Sequence, residues 1–310
     1  MPTPPLVARQ LQDTGLRYFL EVVRCGSIRE ASQRLNVAGS AISRHIAQLE
    51  DLLGTALFDR HPRGMVPSAA GEVLATHALK AAHDAERVVH DIQALYGMQS
   101  GRVRVTTNEG FALEFLPKLI SDFLRLHPGI QFHMSTCPPT ECTRQILHGD
   151  ADIAVTMSRT AENGIQVEHR QMSPVLAAMC FGHPLTQFKS ISLQQMLAYP
   201  LVLPESNTTV RQLFDIACSQ QGLVVKPMLT SSNFSGLCSF LKHHPDALCI
   251  SGETSIRFQV QRQELALVRI RDKGLEMRTV EVQTAAGIKL SRAAQAFLQH
   301  IKSALSEPAP

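Results

Sequence analysis

Residues 71–96 contain no proline, and Leu74, Ala78, Ala81, Ala85, Val88, Ile92 and Leu95 recur there at alternating spacings of four and three. That is the seam of a long helix, about 39 Å at a rise of 1.5 Å per residue. A rod of that length divides the chain into a short leading part and a long trailing part. A single amphipathic helix lying on its own domain would show a broader stripe. The narrow one points to a like partner, and its alanines to close approach.

The leading part, residues 13–68, reads as short helices joined by tight turns. Leu16, Phe19, Leu20 and Val23 have the spacing of one buried stripe, with Asp13 or Thr14 to cap the helix and Gly26 to end it. Ser27 followed three residues later by Glu30 is a capping-box signature for a second helix to about Leu35, and a turn over 36–39 follows. The third helix, from about Ser40, places Ile42, Ile46, Leu49 and Leu53 on one face. Ser40, Ser43, Arg44, Ala47 and Gln48 lie on the other. That outer face is short, polar and singly basic, which is what a helix must present to enter a major groove.

Leu57 and Phe58 then form an apolar anchor before a cationic turn with Arg60 and Arg63, an arrangement like a wing beside the groove. The Lys/Arg side chains of residues 1–67 are all arginine, eight against six acids, so cationic charge is concentrated by placement rather than by excess. Arginine forks suit phosphates and guanine edges. A small helical bundle whose arginines merely solvate a face would show much of the same pattern, and spacing alone favours DNA only modestly.

From Gly101 onward strand-like and helix-like segments alternate: RVRVTT over 102–107, a helical pattern through Phe111, Phe115, Leu119 and Phe123, IQFHM over 130–134, a helix to His148, and DIAVT over 152–156. Repeated β-α-β of this kind implies a parallel sheet with covering helices. Further units continue to about Leu305, too many for one small sheet. Two α/β lobes are expected, crossing near Ala161 and returning near Glu264.

Ligands of such sheets sit at the carboxyl ends of strands, where helix N-termini offer unpaired N–H groups. The residues there are Thr106, Thr107 and Asn108; Ser135 and Thr136; Thr156; Ser206, Asn207, Thr208 and Thr209; and Ser231, Ser232 and Asn233. Any one of them could simply cap a helix. As a set across two lobes they point to a cleft for a small anionic metabolite, with Arg211 a candidate carboxylate anchor. Glu253 would repel an anion, which keeps a neutral or amine-bearing effector open.

The formal net charge is only +3, and 18% charged residues without a long like-charge run argue against a polybasic arm or an acidic tail, while 44% hydrophobic residues suffice for packed cores. No apolar run approaches the 18 or so residues of a membrane helix, so no membrane partner is expected. Residues 1–10 hold three prolines and no apolar centre, which does not read as a secretory signal, and a cytoplasmic location follows. The seven cysteines lack a CxxC pair and fit reduced buried thiols better than a disulfide framework or a zinc site. Cys137 and Cys142 are near enough to suggest a thiol switch, though nothing in the sequence marks either as a reactive thiolate. GxSxG, GxGxxG, Walker and HExxH patterns are missing and the histidines lack ligand spacing, so no catalytic residues, metal or cofactor are expected.

Residues 16–72 resemble the N-terminal winged helix-turn-helix of LysR-type transcriptional regulators. The landmarks are Gly26-Ser27, Ala31 and Leu35, Ser43-Arg44, LExxLG from Leu49 to Gly54, LFxR from Leu57 to Arg60, and Ala70-Gly71. The trailing part resembles that family's periplasmic-binding-protein-like effector region through residues 115–130, GDADIAV over 149–155 and GHPL over 182–185. The resemblance implies DNA contacts by Ser43, Arg44, Arg60 and Arg63, base reading by the third helix, and a dimerising linker helix. Ser27, Ser40 and Gln48 complete the candidate DNA-binding set. Where the family often opens the third helix with Ser-Gln-Pro, this chain has Ala38-Gly39-Ser40, without the hydroxyl cap and the long amide donor.

The expected fold class is a multidomain α+β chain. An all-α winged helix-turn-helix occupies 13–70, a linker and dimerisation helix 71–97, and a two-lobed α/β effector-binding domain 101–305. Lobe I covers about 101–161 and 265–305, and lobe II about 162–264. The expected function is ligand-responsive regulation of transcription by a homodimer or homotetramer on a partly palindromic double-stranded operator, with a small-molecule effector and RNA polymerase as a further candidate partner. The alternative is a small-molecule-binding protein whose helical N-terminal domain docks a protein.

Overall fold

The computed structural model describes residues 7–8, 10–61, 64–95, 101–158 and 162–306, without the side chains of 60, 61, 90, 91 and 93–95. The chain forms two compact units, residues 1–101 with 287–293, and residues 102–286 with 294–310.

In the first unit, α1 (Thr14–Cys25) starts where the Asp13 carboxylate accepts from the Leu16 N–H at 2.9 Å, and it ends at Gly26 in the left-handed region. Ser27 caps α2 (Ile28–Leu35) by accepting from the Glu30 N–H. The reciprocal half of the expected capping box is replaced, because Glu30 pairs with Arg34 at 2.9 Å. α3 (Gly39–Leu53) begins at Ala38 with no side-chain cap and ends at Gly54, φ 67°. Phe19, Leu20, Val22, Ala31, Ile42, Ile46, Leu57 and Phe58 form one buried core. Leu53, expected on the inner face, is 49% exposed, since the last turn of α3 outruns that core.

The N-terminal domain is not all-α. β1 (Phe58–His61) and β2 (Gly64–Pro67) pair antiparallel from Phe58↔Pro67 to His61↔Gly64, a hairpin that rests on the turn between α1 and α2. The Met65 N–H donates to the Gly26 carbonyl at 2.8 Å. A side chain on Gly64, φ 134°, would bring its Cβ within 2.6 Å of that same oxygen, so glycine is required on both counts. Glu50 of α3 accepts from the Leu57 N–H at 2.8 Å and ties the third helix to the hairpin.

The rod is α4 (Ala69–Leu95). Its seam is divided. Leu74 and Ala78 pack into the core of their own domain, against α1, so these two do not belong to a free self-association surface. Val88 and Ile92 remain 40% and 49% exposed, Ala85 is buried, Ala81 is half-buried, and the Leu95 side chain lies outside the described residues.

The second unit contains a five-stranded sheet of order β4-β3-β5-β13-β6, from β3 (Gly101–Thr107), β4 (Ile130–Thr136), β5 (Ile153–Ser158), β6 (Ile165–Met172) and β13 (Thr279–Ala285). β3 and β5 are parallel, while β13 runs antiparallel to β5 and β6. The second sheet has the order β11-β7-β12-β8, from β7 (Leu176–Cys180), β8 (Ser190–Ile191), β11 (Leu248–Ser251) and β12 (Leu265–Ile270). β9 (Val202–Pro204) pairs parallel with β10 (Leu229–Ser231). The helices between are α5 (Glu109–Ala112), α6 (Phe115–Leu126), α7 (Pro139–Leu147), α8 (Leu193–Met196), α9 (Thr209–Gln220), α10 (Phe234–His243), α11 (Glu253–Gln261) and α12 (Arg292–Ser306).

Both sheets are therefore mixed, and the lobe boundaries move. β6 stays in the first sheet, because its alternating face pairs with β13, and β12 stays in the second, held against β7. The chain crosses at Ser173–Val175 rather than near Ala161, and returns at Leu275–Arg278 rather than near Glu264. The two crossings are hydrogen-bonded to each other, Ser173 N–H to the Arg278 carbonyl at 2.9 Å and Val175 N–H to the Leu275 carbonyl at 2.8 Å.

Candidate nucleic-acid interface and effector cleft

The outer face of α3 is as the spacing predicts: Ser40, Ser43, Arg44, Ala47 and Gln48 are all exposed, while Ile42 and Ile46 are buried behind them. The Ser43 hydroxyl donates to the Gly39 carbonyl at 3.0 Å, leaving its lone pairs outward. Arg44 forms no ion pair among the described residues, so its guanidinium is available to an external anion. Ser27 is engaged as the cap of α2. Arg60 lies on β1 with its side chain outside the described residues, and Arg63 falls outside them altogether.

In the second unit a cavity of about 290 Å³ opens where four of the longer helices, α7, α9, α10 and α11, begin. Of the residues expected at strand exits, Asn108, Thr136, Asn207, Thr208, Thr209 and Ser232 line it. Thr106, Thr107, Ser135, Thr156, Ser206, Ser231 and Asn233 do not. Thr106 is fully buried with its hydroxyl 3.1 Å from Cys137 Sγ, and Thr107 donates to the Val155 carbonyl at 2.7 Å. Ser135 donates to Gln145 at 2.9 Å, and Thr156 donates to the Asn108 side-chain oxygen at 3.0 Å. Asn233 caps α10, accepting from the Gly236 N–H at 2.8 Å, and Ser206 is an exposed residue outside the lining. Capping and cross-strand bonding thus claim about half the set, as short polar side chains at strand ends often allow.

Asn108 is itself a clamp. It donates to the Cys137 carbonyl at 3.0 Å and accepts from Thr156 Oγ1 and from the Met157 N–H at 2.9 Å. One amide thereby fixes the ends of β3, β4 and β5 relative to one another.

The strongest feature of the cavity is one the sequence reading missed. Arg278 lines it, is 3% exposed and has no carboxylate partner among the described residues. Its Nε donates to the Ser173 carbonyl at 3.0 Å and its Nη2 to the Ser173 hydroxyl at 3.3 Å. Burial pushes the guanidinium down to about 10. A buried cation facing only neutral acceptors is costly, and an anion in the cavity would relieve it. Gly252 makes room for this side chain, since a Cβ there would collide with the guanidinium and with the Ser173 hydroxyl. Arg211, the earlier candidate anchor, is instead paired with Asp215 at 2.8 Å and bonded to the Pro204 carbonyl. Glu253 is exposed and outside the cavity lining. The remaining walls are mainly apolar, with Phe111, Met157, Phe234 and Ile250 among them. No group of three or more potential metal ligands occurs among the described residues.

A grooved recognition helix with a wing, joined by a long helix to a two-lobed binding domain, defines the class as a ligand-binding, DNA-binding regulator. Residues 14–72 match the family model described as bacterial regulatory helix-turn-helix protein, lysR family, and residues 97–306 match LysR substrate binding domain. The chain belongs to the LysR family of transcriptional regulators. Among curated relatives, the RuBisCO operon transcriptional regulator of Acidithiobacillus ferrooxidans is 23% identical over 292 residues, covering 94% of each chain. Among solved structures, a full-length OxyR variant from Pseudomonas aeruginosa superposes with a TM-score of 0.66 at 17% identity, covering 93% of this chain and 94% of that one. Full-length CbnR complexed with its target DNA superposes with a TM-score of 0.50 at 19% identity, covering 93% and 98%. These likenesses bear out the fold and the regulatory function, and the protein-docking alternative is not favoured.

Proposed function

We propose that this regulator binds a small organic carboxylate with an apolar body in the cleft of its second unit, and that the ligand's charge is neutralised by Arg278. The observation that carries the reading is that guanidinium, buried in the cavity wall without an acidic partner. Glu109 and Glu205 also belong to the lining, which disfavours a polyanion and supports a ligand with a single carboxylate. Because both chain crossings meet at Ser173 and Arg278, a ligand drawn to Arg278 acts where the two sheets are joined. Ligand and operator affinities are coupled to the extent that the ligand prefers one arrangement.

The same reading has Ser40, Ser43, Arg44 and Gln48 meeting the operator, with Arg44 on a phosphate. It has α4 joining two copies so that a partly palindromic site is read, in the cytoplasm, with no catalytic step and no cofactor. RNA polymerase is the partner through which such a regulator would act. A thermal-shift screen of monocarboxylates against matched amines and alcohols tests the effector class. Carboxylates alone should raise the melting temperature. A response confined to amines or alcohols would refute the assignment.

A further inference from the structure

Cys137 and Cys142 place their sulfurs 3.2 Å apart. Cys137 follows β4, is half-buried and lines the cavity, whereas Cys142 is fully buried on α7, its sulfur 3.5 Å from the Cys137 carbonyl oxygen. Thr106 Oγ1 stands 3.1 Å from Cys137 Sγ, and the Asn108 amide stands 3.9 Å from Cys142 Sγ. The pair is therefore packed on its inner side by a hydroxyl and an amide, and of its two residues only Cys137 belongs to the cleft wall. An approach of about 1 Å would bring the two atoms to bonding distance.

We propose that Cys137 and Cys142 form a reversible dithiol–disulfide site in the wall of the cleft, closed by exchange with a low-molecular-weight disulfide. In the first step the Cys137 thiolate attacks one sulfur of the small disulfide. That S–S bond breaks, and the departing thiolate takes up the proton that Cys137 released. In the second step Cys142 attacks the Cys137 sulfur of the mixed disulfide, its proton passing to the second departing thiolate. Two protein thiols are oxidised, one small disulfide is reduced, and two small thiols leave. Burial and the neighbouring sulfur push the Cys142 thiol well above its ordinary range, which keeps it from starting the reaction; its attack in the second step rests on the mixed disulfide being held beside it. Closure would draw the first turn of α7 toward the end of β4, where Asn108 holds the Cys137 carbonyl together with β5. The state of the pair thus reaches the wall that the effector touches.

Residues 126–144 form one tryptic peptide holding both cysteines and no others, so the test needs neither effector nor DNA. Reduced full-length protein would be equilibrated in mixtures of hydroxyethyl disulfide and mercaptoethanol, quenched by alkylation and digested. The peptide should appear unlabelled and two hydrogens lighter at a ratio where Cys25 and Cys180 still take label, and should regain two labels on reduction. In Cys142→Ser a mercaptoethanol adduct should persist on Cys137, and in Cys137→Ser no modification should reach Cys142. Two labels on the wild-type peptide at every ratio, or an adduct on Cys142 in Cys137→Ser, would overturn the proposal. Either result leaves the carboxylate reading of the cleft untouched.

Discussion

Arg278 Nε donates to the Ser173 carbonyl at 3.0 Å, joining by a side chain the two crossings that the backbone already joins at 2.9 Å. One partner of that link, Arg278, also lines the cavity.

Removing the charge of Arg278 should separate ligand response from stability. The folded-state pKa, about 10, lies below the ordinary guanidinium range, so the native state holds this proton less tightly than the unfolded chain. The resulting penalty, of order 3 kcal/mol, applies at every pH below about 10 and relaxes above it, where stability increases with pH. Arg278→Gln relieves that penalty but forfeits two hydrogen bonds, each worth about 1–1.5 kcal/mol. The melting temperature of the empty protein should change by no more than a few degrees, and the carboxylate-induced rise should disappear. A full ligand response in the variant would unseat Arg278 as the anchor.

Arg44→Ala should weaken binding to all duplex sequences alike and lower the slope of log affinity against log salt by about 1. Fluorescence anisotropy at several salt concentrations reads this directly. An unchanged slope with altered base preference would move Arg44 from phosphate to base edge.

Gly71→Ala would drive a Cβ into the Leu57 carbonyl oxygen, which also accepts from the Ser68 N–H at 3.0 Å. The oxygen is backbone and has little room to yield, so the junction of hairpin and rod should loosen by more than about 2 kcal/mol. Calorimetry should show a lowered transition for the N-terminal unit with loss of DNA binding, while a carboxylate still shifts the other transition. Wild-type melting of both units would contradict the close contact.

Val88→Glu places a charge on the exposed stripe of α4, where Val88 is 40% and Ile92 49% exposed. Sedimentation should show the native assembly reduced to a smaller species, since an unpaired carboxylate is poorly tolerated in an apolar seam. A persisting oligomer would point to another surface.

The helices of the N-terminal domain were legible because each of their signals is local. Asp13, Ser27, Gly26 and Gly54 cap or end helices, and the apolar stripe through Phe19, Ile42 and Ile46 follows the helical period. The cleft was half legible. Strand ends rich in Thr, Ser and Asn do surround it, but whether a hydroxyl faces the cavity or bonds across strands depends on partners far away in sequence. Thr107 bonds to Val155, Thr156 to Asn108 and Ser135 to Gln145.

Periodicity and turn chemistry, read along the chain, determined the recognition helix, the rod and the succession of strands and helices, because these depend on residues a few positions apart. Tertiary structure alone decided that β6 and β12 stay with the sheets they do, that Leu74 and Ala78 belong to their own core, and that Arg278 meets Ser173, more than a hundred positions away. Burial is what makes that last pairing matter. An arginine in sequence is one charge among thirty cationic side chains, and only its removal from water without an acidic partner turns it into a site for an anion.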